Sequence, residues 1–129
     1  MNAYAKNAYA ASKVSNAQSP LDLVILLYDG AIERLRKATF HIGRKDMPAK
    51  IRALNGAMAI IEELLFALNV GEGGDVAGNL QNLYIHMLRE LAEANLKNDV
   101  GKLRRVEALL SDLGEAWRQL KSQGHGGQA

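Results

Sequence analysis

The residues best suited to chemistry in this 129-residue chain are His41, the pair His86 and Glu90, the neighbours Glu62 and Glu63, and the run Gly71-Glu72-Gly73-Gly74. A lone exposed His on a helical bundle is the signature of a phosphotransfer domain. That chemistry also wants a nearby Lys and small residues, and His41-Ile42-Gly43-Arg44-Lys45 fits it poorly. A helix C-terminus that stabilises an imidazolium explains His41 more simply. His86 and Glu90 stand one helical turn apart and could share a metal, but no further ligands follow at a recognisable spacing. The Glu-x-x-His motif of di-iron bundles does not occur. Adjacent carboxylates such as Glu62 and Glu63 point apart on a helix. The glycine run lacks the preceding strand and following Lys of a phosphate loop. There is no cysteine, which removes thiolate metal sites and a Cys nucleophile. No catalytic constellation results, so the expectation is a non-enzyme without cofactor or metal.

The elements around these residues are helices. Strand signals are weak, because β-branched and aromatic residues are few. A first helix opens at Ser19-Pro20, with Ser19 as N-cap and Pro20 at the first helical position. It runs to about residues 43–45. A second starts near Asp46-Met47-Pro48 and ends between Asn69 and Gly71, with Ile51, Leu54, Met58, Ile61, Leu65 and Leu68 as its seam. The glycines at 71–74 predict a loop, with Asp75 capping the third helix. That helix buries Leu80, Leu83, Tyr84, Met87, Leu91 and Ala94. After a turn at Asn98-Asp99, the fourth buries Leu103, Val106, Leu110, Leu113, Trp117 and Leu120. Four helices with short links pack as an antiparallel up-down four-helix bundle, an all-α fold. The expected organisation is an N-terminal strap over residues 1–18, the bundle over 19–123 and a flexible tail over 124–129.

The surface carries more apolar residues than such a bundle can hide. Leu21 to Tyr28 holds only Asp22 as a polar residue, and at 100° per residue it circles its helix. Ile60, Leu64 and Phe66 lie outside the second seam, and Ile85 and Leu88 flank the third. The excess predicts a covering element or a partner. Tyr4, Tyr9 and Val14 are the large apolar groups of an N-terminal segment too short to fold alone. Charge points away from nucleic acid. The formal charge is +2, and the basic clusters Arg34, Arg36, Lys37 and Lys102, Arg104, Arg105 are mixed with acids. The longest apolar run, Leu23 to Tyr28, is too short to span a membrane, and Met1 to Asn16 lacks the apolar core of a signal peptide.

Ser19-Pro20, Leu27-Tyr28-Asp29-Gly30-Ala31, Gly73 to Leu80, Leu83-Tyr84, Glu93 to Asp99 and Glu115-Ala116-Trp117 occur in an order that resembles the flagellar secretion chaperone family FliS. The resemblance covers roughly residues 9 to 121. It implies a cytoplasmic helical bundle that binds the disordered C-terminal region of flagellin, prevents premature polymerisation and delivers it to the export gate of the flagellar type III apparatus. Tyr9 followed five residues later by Val14 also resembles the family's N-terminal segment, which moves on client binding. Together with the apolar excess, this makes Tyr9, Val14, Leu23, Leu26, Leu27, Tyr28, Ile60, Leu64, Ile85 and Leu88 the expected partner-binding residues. The state of assembly, monomer or homodimer, stays open. The rival reading is a helical signalling or phosphotransfer adaptor.

A chain without ligand motifs is expected to hold its fold without metal. Adding a chelator should leave the thermal midpoint where it was, and a lowered midpoint would reveal a structural ion.

Overall fold

In a computed structural model, residues 8–9 and 19–128 are described, with side chains to residue 123. Helix α1 spans Pro20–Gly43, α2 Met47–Phe66, α3 Val70–Lys97 and α4 Val100–Gln128. Their ends follow local rules. Ser19 Oγ accepts the Asp22 amide at 3.1 Å, with Pro20 in the first turn. Asp46 Oδ1 accepts the Ala49 amide at 3.2 Å, and Asp99 Oδ1 accepts the Lys102 amide at 3.2 Å. Between α3 and α4, Asn98 takes the left-handed conformation, φ 53°. Asn is one of the few side chains that adopts it readily.

Each helix packs on two neighbours: α1 on α2 and α4, and α3 on α2 and α4. The links are short, so neighbours run antiparallel round a closed square. The core is filled by Tyr28, Leu35, Leu54, Ile61, Leu64, Tyr84, Met87, Leu91, Leu103, Val106 and Leu110. The seams expected for α3 and α4 are the ones that face it, with Leu83 and Leu113 at the margin.

Two expectations need correction. The seam of α2 is rotated: Lys50, Leu54, Ala57, Ile61 and Leu64 point inward, while Ile51 is 42% exposed. Lys50, only 4% exposed, turns in because its Nζ donates to Asn95 O at 2.9 Å and Asn95 Oδ1 at 2.8 Å. A buried ammonium with two such acceptors is tolerated, and it ties the start of α2 to the last turns of α3. Second, residues 71–74 are not a free loop. Asn69 caps a helical turn there, accepting the Glu72 amide, and the break narrows to Gly74 with φ 61°. Gly73 in that turn is buried, and a Cβ on it would lie 3.1 Å from Ala8 Cα and 2.5 Å from Ala77 Cβ. Ala8 therefore docks where only glycine leaves room, and the Asn69 amide donates to Ala8 O at 2.7 Å. The backbone of α4 is helical to Gln128. Propagating an existing helix needs no new nucleus, and no proline interrupts this stretch.

Trp117 of α4 is 5% exposed and packs edge-on against Tyr9 at 5.7 Å and Tyr28 at 6.4 Å between centroids. Trp117→Ala should cost about 3–5 kcal/mol in denaturant unfolding, as large-to-small core changes do. A nearly unchanged midpoint would mean that the indole does not support the core.

Candidate partner-binding groove

One side of α1 faces neither the core nor open water alone. Pro20, Leu23, Leu27, Gly30 and Arg34 follow each other at three- and four-residue steps, with Leu26 beside them. Ile60, Glu63, Leu64 and Ala67 form the matching stripe of α2. Between the stripes lies an apolar groove of about 360 Å³, closed at its floor by Tyr9. Leu26, on its lip, is 54% exposed.

The floor is held by a buried chain of hydrogen bonds. The Tyr9 hydroxyl lies 3.1 Å from Leu64 O and 2.8 Å from the Tyr84 hydroxyl, which lies 2.5 Å from that of Tyr28. The carbonyl can only accept. The arrangement that uses every proton therefore has Tyr9 donate to Leu64, Tyr84 to Tyr9 and Tyr28 to Tyr84. Leu64 sits in the last turn of α2, where carbonyls have no amide partner within the helix. Tyr9 thus caps a helix end as well as filling space. Burial raises the pKa of all three phenols. For Tyr28 it reaches about 12, with the Tyr84 hydroxyl and the Trp117 indole pulling it partly back. Tyr9 and Tyr84 are pushed higher still, first by burial and then by neighbouring tyrosines. The Trp117 Nε1–H lies near the Tyr28 hydroxyl without the alignment of a full hydrogen bond.

The structure brings Tyr9, Leu23, Leu26, Leu27, Ile60 and Leu64 of the expected residues into this one groove. Tyr28 lies outside the groove. It is fully buried, because its hydroxyl finds Tyr84 and its ring packs on Trp117. Ile85, 39% exposed, and Leu88 lie on α3 and do not line the groove. Val14 lies outside the described residues. Sequence reasoning missed Arg34 and Glu63, although Arg34 continues the 20-23-27-30 stripe and could have been found by extending it one turn.

The candidates for chemistry stay apart. His41 is half-buried in the last turn of α1, its ring 5.4 Å from Phe40. His86 and Glu90 line a separate, more polar hollow of about 300 Å³ between α3 and α4, with Arg105 and Asp112. Glu90 is engaged there by Lys102 Nζ at 3.2 Å, which also reaches Glu93 at 3.0 Å. Among the described residues no three His, Asp or Glu side chains converge as metal ligands would. No described helix is long and apolar enough to cross a membrane.

Comparison with known proteins identifies relatives of the chain as a whole. The profile of the family described as flagellar protein FliS matches residues 1–124. The chain is 42% identical over 117 residues to the flagellar secretion chaperone FliS of Salmonella typhimurium strain LT2, an alignment covering 88% of this chain and 87% of that one. It is 40% identical over 106 residues to the flagellar secretion chaperone FliSB of Pseudomonas aeruginosa, covering 82% and 83% of the two chains. It is 37% identical over 112 residues to the flagellar secretion chaperone FliS of Bacillus subtilis strain 168, covering 87% and 82%.

The tyrosine chain carries a pH signature. A folded-state phenol raised above its ordinary value of 10.0 keeps its proton where the unfolded chain has lost it. Its contribution is complete below about pH 10 and is lost as pH climbs toward the folded value. The thermal midpoint should therefore stay level to about pH 9.5 and fall steeply above pH 10. Tyr84→Phe should start lower and fall less steeply. Parallel curves for the two proteins would show that the tyrosine chain does not set the alkaline limit.

Proposed function

The chain belongs to the FliS family of flagellar secretion chaperones, and from that premise we propose that it holds the C-terminal segment of flagellin in the groove between α1 and α2. It does so in the cytosol, without catalysing a reaction. Occupying that segment prevents premature polymerisation and keeps the subunit ready for delivery to the export gate. The observation that supports this reading is the groove itself: apolar, lined along α1 from Pro20 to Arg34, and floored by the hydrogen-bonded Tyr9. An amphipathic helix laid into an apolar groove is a known mode of peptide recognition.

The energetics suit a client that is disordered when free. Each leucine-sized side chain buried gains roughly 1.5–3 kcal/mol. Ordering the client backbone costs about 1–2 kcal/mol per residue. The two nearly cancel, so binding is firm only when several apolar positions engage at once, and release needs no nucleotide hydrolysis. Tyr9 belongs to this surface because it lines the groove from below. The N-terminal segment thus contributes to the site.

Titration calorimetry with a flagellin C-terminal fragment tests the reading. Leu26→Ser changes an exposed residue, so the fold should persist, and affinity should fall about tenfold, the equivalent of one poorly buried leucine. Deleting residues 1–16 should weaken binding, because Tyr9 leaves with them. A fragment that binds both altered chains as it binds the full one would place the client elsewhere.

A further inference from the structure

The groove is apolar except for two charges, and each comes from a different helix. Arg34 of α1 and Glu63 of α2 both line it. Among the described residues neither has an opposite charge within ion-pair distance, whereas Asp22, Asp29, Arg36, Lys102 and Arg118 do. The placement of Arg34 is built in. A Cβ on Gly56 would come within 2.8 Å of Arg34 Cδ and Nε, and one on Gly30 within 3.3 Å of its Nη1. Glycine at both positions lets the guanidinium lie across the α1–α2 crossing. There its Nη1 donates to Gly30 O at 3.2 Å. A guanidinium has five N–H donors, so most remain for a ligand. Arg34 thus stands at the level of Gly56, and Glu63 follows seven residues further along α2. That separation is about 10.5 Å along the axis at about 1.5 Å per residue, close to two helical turns.

We propose that Arg34 and Glu63 form a two-point charge code that selects, and sets the direction of, the helix bound in the groove. The occupant is an amphipathic helix with an acidic side chain against Arg34 and, about two turns away on the same face, a basic one against Glu63. The proposal rests on the reading that the groove holds a flagellin helix, and it adds which side chains that helix must carry and which way it lies. A reversed helix would bring acid to Glu63 and base to Arg34, and two like-charge contacts would reject it. The apolar walls strengthen both contacts by limiting water around them.

The test combines protein and client changes in calorimetric titrations of the full chain with a flagellin C-terminal fragment. Arg34→Gln keeps most of the stem over Gly56 and should weaken binding about tenfold at low ionic strength. The loss should shrink in about 0.5 M salt, where exposed charges are screened. Glu63→Gln, at a more exposed site, should cost about twofold to threefold. Fragments with each acidic residue replaced singly by its amide, titrated into the unaltered chain, should include one that binds as weakly as the wild-type fragment binds Arg34→Gln. Arg34→Gln should cost that fragment nothing further. This arm needs no altered protein except in its last step. Unchanged affinity for Arg34→Gln at low salt, with Leu26→Ser still weakened, overturns the charge code and leaves the groove as the binding site. Unchanged affinity for both variants overturns the groove reading itself. If sedimentation shows that the chain alone forms a dimer which Arg34→Gln dissolves, a second copy is the occupant and the code for a client helix falls.

Discussion

The last turn of α2 leaves a carbonyl, Leu64 O, that no helical amide can reach, and it lies inside the protein. An unpartnered buried carbonyl costs about 1–3 kcal/mol. The protein meets it with a hydroxyl from another part of the chain, Tyr9, and the consequences run through every element. Tyr9 needs a donor of its own, which Tyr84 of α3 supplies, and Tyr84 in turn takes one from Tyr28 of α1. Trp117 of α4 closes the set edge-on against Tyr9 and Tyr28. One buried carbonyl thus heads a set of contacts that links all four helices and Tyr9. The close packing of Ala8 at Gly73 and the Asn69–Ala8 hydrogen bond bring Tyr9 to its place.

The groove is a by-product of the same constraint. Residues 21–28 of α1 are apolar on nearly every side, so the helix has more hydrophobic surface than the core can take. Val24 and Tyr28 go inward, Leu23 and Leu27 go sideways toward α2, and Leu26 is left on the lip. Tyr9 sits under the α1–α2 seam at that end, where it lines the open space. At the other end Gly30 and Gly56 give Arg34 room to lie flat. The groove therefore carries one charge toward each end, Glu63 beside Leu64 and Tyr9, and Arg34 at the crossing with Gly56.

Much of this was legible in the sequence. The seams of α3 and α4 repeat mostly at three- and four-residue steps, so periodicity points them inward even with Ile85, Leu88 and Leu109 beside them. The caps Ser19, Asp46 and Asp99 announce themselves by residue type. α2 misled because it offers two overlapping stripes. Ile51 and Met58 are as apolar as Ala57 and Leu64, and the choice between them is made by a tertiary contact, Lys50 with Asn95, that periodicity does not contain. The glycine run misled for a related reason. Gly73 is there for the close approach of Ala8, a contact far away in sequence, and only Gly74 is there for its backbone angles. The groove was half visible. Apolar excess identified Leu23, Leu26, Leu27, Ile60 and Leu64, whereas Tyr28, equally apolar in composition, is drawn into the core by its hydroxyl. No pattern in a single sequence separates those two fates, since both sit in the same run of α1.

For a client helix bound as proposed, the tyrosine chain also constrains how the groove is used. Withdrawing Tyr9 would leave both the Leu64 carbonyl and the Tyr84 hydroxyl short of a partner in a buried place, and would expose one edge of Trp117. A client helix offers side chains to the groove, but its own backbone amides are consumed within the helix, so it cannot replace the lost donor at Leu64 except at its first turn. Filling the groove above Tyr9 requires none of this loss. The same ring then presents its apolar face to the client while its hydroxyl stays committed below. In that arrangement the N-terminal anchor and the client are compatible occupants, and the strength of the anchor becomes part of the stiffness of the binding surface. A stiff floor loses less entropy when a client orders upon it, which matters most where gain and cost are as closely balanced as they are for a segment that folds only on binding.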